Sequence, residues 1–172
     1  MKTLCNNKCL FRLLFFTAVL FFCPNLSFAQ PALPQRTLTV NATQPIHFGT
    51  FAVIGSMGGT ITVGWDGSRT STGDILLLNN VPTSQPAIFE VKLCEGRNVL
   101  ITFSATTTLT SSEGSLSLDI GPTEQGPNGS SFLTNGNCDF INLLRVGGTL
   151  TIPSTASPGT YSGNFNITFN QE

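Results

Sequence analysis

The sequence predicts an all-β domain, an antiparallel β-sandwich with Greek-key connections, and three observations carry that prediction. Apolar and polar residues alternate in short runs, each run is bounded by Gly, Pro or Asn, and no stretch holds apolar residues at helical spacing beyond a turn or two. A parallel α/β sheet requires crossover helices, which this pattern does not offer. A closed barrel is the alternative arrangement of the same strands.

The elements follow in order along the chain. Residues 1–29 read as a cleaved secretory signal: Lys2, Lys8 and Arg12 precede an apolar run from Leu13 to Cys23, and Ser27-Phe28-Ala29 places small residues before a cut after Ala29. The apolar run is shorter than the roughly 20 residues of a spanning helix, so no transmembrane segment is expected after cleavage. Cys23 follows Phe22 rather than a small residue, which argues against lipidation.

Cleavage leaves 143 of the 172 residues, read as one domain over 30–172. "TLTVNATQPIHF" places Leu38, Val40, Ala42, Ile46 and Phe48 on one face of the first strand. "GTITVGW" turns Ile61, Val63 and Trp65 inward, and "AIFEVKL" does the same with Ala87, Phe89, Val91 and Leu93. "NVLITFS" offers Val99, Ile101 and Phe103, "SLSLDI" offers Leu116, Leu118 and Ile120, and "GGTLTIP" offers Leu150 and Ile152. In "DILLLNN" the apolar residues Ile75 to Leu78 are contiguous, which fits a strand covered on both faces or a bulged one. The last strand, Thr160–Asn170, alternates throughout, with Tyr161, Phe165, Ile167 and Phe169 opposed to Ser162, Asn164, Asn166, Thr168 and Asn170. About eight strands result. Between Gly121 and Asp139 lies the longest loop.

Composition excludes several functions. After cleavage, Arg36, Arg69, Lys92, Arg97 and Arg145 face nine carboxylates, formally −4, with no basic patch for nucleic acid. Cys94 and Cys138 are the two cysteines left, and in an exported protein they read as a disulfide; two buried thiols are the alternative. His47 is the one histidine, no Gly-x-Ser-x-Gly elbow occurs, and zinc lacks a ligand set. "DGSRTSTGD", Asp66 to Asp74, lacks the order of a calcium loop and reads as a hairpin connection. No catalytic residue and no cofactor is expected.

Three blocks, "LTVNATQPIHFGTF", "GGTITVGWDGSRTSTGDILLL" and "GGTLTIPSTASPGTYSGNFNITF", resemble a bacterial domain-of-unknown-function family, family 4402 of that series, found in exported proteins of Gram-negative bacteria. The closing block is also similar to the last strand of spore-coat-U-like and archaic chaperone-usher pilins. The resemblance implies an immunoglobulin-like, pilin-like sandwich and a surface role, with no active residues to carry over. Its glycines have physical reasons: Gly49 permits a sharp change of direction, Gly163 at an inward position leaves space for a neighbouring aromatic or a bulge, and Pro158-Gly159 makes a turn that launches the last strand.

Two functions compete. One is a non-enzymatic pilin-like surface protein, structural or adhesive, whose strands pair with copies of itself or related subunits. The other is a self-contained extracellular module binding carbohydrate or protein through its loops. Either places the chain at the cell surface, outside the cell or in the periplasm. The terminal strand needs a neighbour, and "RTLTVNAT" is the expected one, closing within the chain of an isolated molecule.

Overall fold

The computed structural model describes residues 37–94, 98–135 and 137–172; the expected leader lies outside the described residues. Among these residues there is no helix, and every strand ladder is antiparallel. The strands are β1 (Leu38–Gln44), β2 (Thr50–Val53), β3 (Gly59–Val63), β4 (Arg69–Gly73), β5 (Ile75–Leu78), β6 (Ala87–Leu93), β7 (Asn98–Phe103), β8 (Thr106–Thr110), β9 (Ser115–Thr123), β10 (Ser131–Leu133), β11 (Asn142–Ile152) and β12 (Ile167–Gln171).

The long strand β11 organises the large sheet. Val146 stands between Thr123 of β9 and Ala87 of β6, and Leu150 stands between Leu118 of β9 and Ile61 of β3. One edge of β11 therefore carries β9 from Val146 to Thr151, while the other carries β6 and then β3. Beyond these neighbours lie β8 on β9, β1 on β6 and β4 on β3. Alternation decides what is buried: Leu144, Val146, Leu150 and Ile152 face the core, and Arg145, Thr149 and Thr151 do not.

A three-stranded sheet in the order β10-β7-β12 supplies Phe132, Val99, Ile101 and Phe169 to the same core. It meets the large sheet where the Phe89 ring of β6 packs against Phe169 at 5.9 Å and, edge-on, against Phe165 at 6.3 Å. Phe103 of β7 lies against β9, since a Cβ at Gly121 would come within 3.2 Å of its ring.

Several expectations need correction. The first strand stops at Gln44; after Pro45 the chain makes only an isolated bridge between His47 and Gln85. Trp65 is not in the core: the strand ends at Val63, a turn closes from Gly64 to Ser68, and the indole is 40% exposed. Ile75–Leu78 is neither bulged nor covered on both faces, because it forms a separate ribbon with β2 in which Ile75 is buried and Leu76 exposed. The polar run after Ser68 is itself a strand, β4, whose Thr and Ser residues show no apolar alternation to betray it. β2, β8 and β10 escaped notice for the same reason, each being short or nearly free of apolar residues.

The terminal segment also behaves differently from one strand in one sheet. Ser162 pairs with Thr110 of β8, and Asn164 accepts a hydrogen bond from the Thr107 hydroxyl at 2.9 Å, so the first half runs along the large sheet. The second half, β12, pairs with β7. β7 and β8 follow each other after two residues, so the terminal segment tracks one neighbouring length of chain from one sheet into the other. Gly163 sits at the close approach: a Cβ there would meet the Thr108 carbonyl oxygen at 2.6 Å. The expected neighbour of this segment, residues 37–43, is instead hydrogen-bonded to β6.

This layout makes the two faces of the terminal segment unequal. Phe165→Asp, which places a charge beside Phe89, is expected to destabilise by about 3 kcal/mol or more, while Asn166→Asp leaves the melting temperature nearly unchanged. Thermal melts of the two variants check this, and equal losses would mean that both faces are covered.

Candidate functional site

Several strand edges have no strand partner among the described residues, those of β2, β4, β5 and β10 included; two of them belong to the first and last strands, the edge of β1 away from β6 and the edge of β12 away from β7. β1 is the least buried of the long strands, and only its end residues Leu38 and Gln44 are even half-buried. Leu38 and Val40 lie opposite Leu93 and Val91 in register, hence on the face that is core in β6. Yet Val91 is fully buried, whereas Val40 is 38% exposed. The apolar face of the large sheet thus extends past the cover that the small sheet provides.

The position of that cover follows from contacts already described. β12 lies over β6 through Phe169 and Phe89, and β7, on one side of β12, reaches β9 through Phe103. The free side of β12 is therefore the side toward β1. Leu38 packs against the core while Val40 stands partly exposed, and neither β1 nor β12 contains a charged residue or a proline.

The polar candidates of the sequence serve turns and clamps. Asp66 accepts hydrogen bonds from the Ser68 hydroxyl at 2.6 Å and the Ser68 N–H at 3.0 Å, and these hold its carboxyl below the usual range. Asp74 accepts from the Met57 N–H at 2.8 Å in a different turn. His47 Nδ1 accepts from the Gly49 N–H at 2.9 Å. Among the described residues, no three His, Cys, Asp or Glu side chains gather in a way that would hold a metal ion.

Arg69 was not singled out by sequence reasoning. It lies opposite Val63 and so points inward, where Nη2 donates to the Thr50 carbonyl at 2.8 Å and Nη1 to the Leu78 carbonyl at 3.1 Å. Those carbonyls belong to the paired ends of β2 and β5, so the guanidinium clamps the ribbon to β4. Burial lowers its pKa, and its Nε is buried without a partner. Gly49, at φ +71°, makes the room: a Cβ there would stand 3.1 Å from the guanidinium.

Cys94 and Cys138 are disulfide-bonded, with Cα atoms 4.2 Å apart across a sequence separation of 44. The loop they tether is more structured than its composition indicates. It contains β10, and the Asn128 side chain bonds both main-chain groups of Phe103, accepting from the N–H and donating to the carbonyl, each at 2.9 Å. Asn128 thereby acts as a strand residue toward the end of β7.

A family model described as "Domain of unknown function (DUF4402)" matches residues 38–170, from the start of β1 nearly to the end of β12. No curated protein and no solved structure matches the chain.

Two measurements probe these clamps. Cys94→Ser with Cys138→Ser is expected to lower stability by about 2–4 kcal/mol, and a non-reducing peptide map should find no free thiol at either position in the exported protein. Arg69→Met, which strands two carbonyls, should cost about 1–3 kcal/mol by chemical denaturation, with Arg69→Lys recovering only part of it because an ammonium cannot span both oxygens.

Proposed function

We propose that this chain, which belongs to the DUF4402 family, is an exported, non-enzymatic surface protein of pilin-like type that acts in structure or adhesion by pairing its strands with other chains. The observation that carries this reading is the free edge of β12 beside the uncovered inner face of β1. An unprotected edge of this kind is a template for another strand, and proteins that do not use one ordinarily block it with Lys, Pro or a bulge. An immunoglobulin-like sandwich agrees with the layering of β1-β6-β11-β9 against β10-β7-β12.

One observation favours the second reading, a binding module working through its loops. The turn between β2 and β3 exposes Ile54 at 68% and Met57 at 83%, next to the exposed Leu76 of β5. Asp74 fixes that turn, with its carbonyl accepting from the Ile54 N–H at 2.9 Å and its carboxylate from the Met57 N–H at 2.8 Å. A held apolar tip is a contact surface of the kind loops present.

Site-specific photo-crosslinking on the protein as exported by its own cells separates the two. A crosslinker at Asn170 is expected to give a covalent adduct with another polypeptide, and one at Ser56 none. Adducts from Ser56 alone would favour the loop reading, and adducts from neither position would end the strand-pairing one.

A further inference from the structure

We infer that the outward face of β4, β3, β11, β9 and β8 is a binding surface for crystalline ice. That face points away from the core, and ice binding there does not depend on strand pairing. Strand register sets hydroxyls on it in a two-dimensional array. One row across the sheet reads Thr70, Thr62, Thr149, Asp119 and Thr106, each directly opposite the next. The row beside it, two residues along every strand, reads Thr72, Thr60, Thr151, Ser117 and Thr108. Between the rows lie Ile61, Leu150 and Leu118, which are buried, so alternation turns the array residues of these strands outward. Thr60, Thr62 and Thr149 are half-buried between their neighbours, and the others are exposed.

A solvated sheet face ordinarily mixes Lys, Arg, Glu and Asp among its polar residues. Here the outward Glu90, Lys92 and Arg145 sit on β6 and the first half of β11, and within the array Asp119 is the one charged residue. The hydroxyls are also held in place. Thr60 and Thr72 are hydrogen-bonded to each other at 2.7 Å, Thr62 and Thr149 at 3.0 Å, and the Thr106 hydroxyl donates to the Asp119 carboxylate at 2.8 Å. These are ordinary O–H···O lengths, the same that join water to water. The χ1 angle of a β-branched residue is stiff as well, so the surface can meet a layer of lattice water with little further loss of rotamer freedom.

The ligand follows from what the array has and lacks. Its repeat is about 4.8 Å across the strands and about 6.7 Å along them, close to two repeats of the oxygen lattice in hexagonal ice. A hydroxyl both donates and accepts, as every lattice water does, and no ammonium or aromatic ring stands in either row. A crystalline polysaccharide is also periodic and uncharged, but its sugar rings present apolar faces that aromatic side chains cover, and the array has none. Sheet twist of about 20–25° per strand confines a planar match to the strands around β11, so Thr60, Thr62, Thr149 and Thr151 form its centre and β4 and β8 its margin. Asp119 is the departure, since an ionised carboxylate accepts without donating.

The test follows a single ice crystal in a solution of the exported protein and reads the gap between its melting temperature and the temperature at which it grows. The parent protein is expected to open that gap. Thr151→Lys at the same concentration should narrow it about tenfold, because it sets an unpaired charge against ice. Asn41→Lys makes the same substitution opposite Glu90, on the part of the outward face beyond the array, and should leave the gap unchanged. Thr108→Lys, at the margin, should narrow it less than Thr151→Lys does, and Asp119→Thr, which completes its row, should widen it. Melting curves of the four variants establish that they are folded at the temperature of the assay. No gap in the parent, equal effects of Thr151→Lys and Asn41→Lys, or a gap that Asp119→Thr fails to widen would overturn ice binding at this face. Sedimentation with insoluble cellulose or chitin that depends on Thr151, by a protein inert toward ice, would assign the array to polysaccharide and overturn it equally.

Discussion

Strand β11 is hydrogen-bonded along both edges, and that double pairing is the constraint on which the remaining strands depend. With β9 on one flank and β6 followed by β3 on the other, each alternate side chain of β11 has a cross-strand neighbour on at least one side, and Val146 and Leu150 have one on both. Leu144, Val146, Leu150 and Ile152 are buried as a result, and they fix the register of three other strands at once. A slip of one residue would turn all of them to solvent. The register shift between Val146 and Gly148 lies where the flank passes from β6 to β3, so the irregularity falls at the branch and spares the apolar rows on either side.

From this centre the structure becomes progressively less determined toward its edges. β6 is enclosed by β11 and β1, and its Phe89 carries the main aromatic contact to the small sheet. Among the described residues, β1 has a strand neighbour on one side and leaves Val40 partly exposed, and β12 has a strand neighbour on one side only. Physical chemistry ordinarily penalises such a combination, since unpaired main-chain groups and apolar side chains both gain from a further strand.

The polar residues answer a different need. Arg69 replaces what the β2–β5 ribbon lacks in packing by holding two carbonyls at its end, and Asn128 supplies side-chain hydrogen bonds where β10 is too short to pair with all of β7. The disulfide ties the end of β6 to the loop before β11, beside the same part of the large sheet. These devices secure connections between segments of the chain.

How much of this was legible in the chain depends on whether the information is local. A period of two states which face of a strand is apolar, so the buried rows of β3, β6, β7 and β9 could be read directly, as could Leu150 and Ile152 at the end of β11, the disulfide and the family from its blocks, whereas Leu144 and Val146 in the first half of β11 were not assigned to a strand. Strands without an apolar row, such as Arg69–Gly73 and Thr106–Thr110, left no such mark, and Trp65 carried the right parity but stood beyond its strand's end. The neighbour of the terminal strand was beyond reach for a deeper reason. Main-chain hydrogen bonds are the same for every residue, so alternation says which way side chains point and nothing of which edge lies alongside. Only the folded structure shows that β1 pairs with β6 and that Phe169 of β12 packs on Phe89 of β6. The apolar faces of β1 and β12 were therefore written in the sequence, and the strands they pair with were decided by the tertiary structure alone.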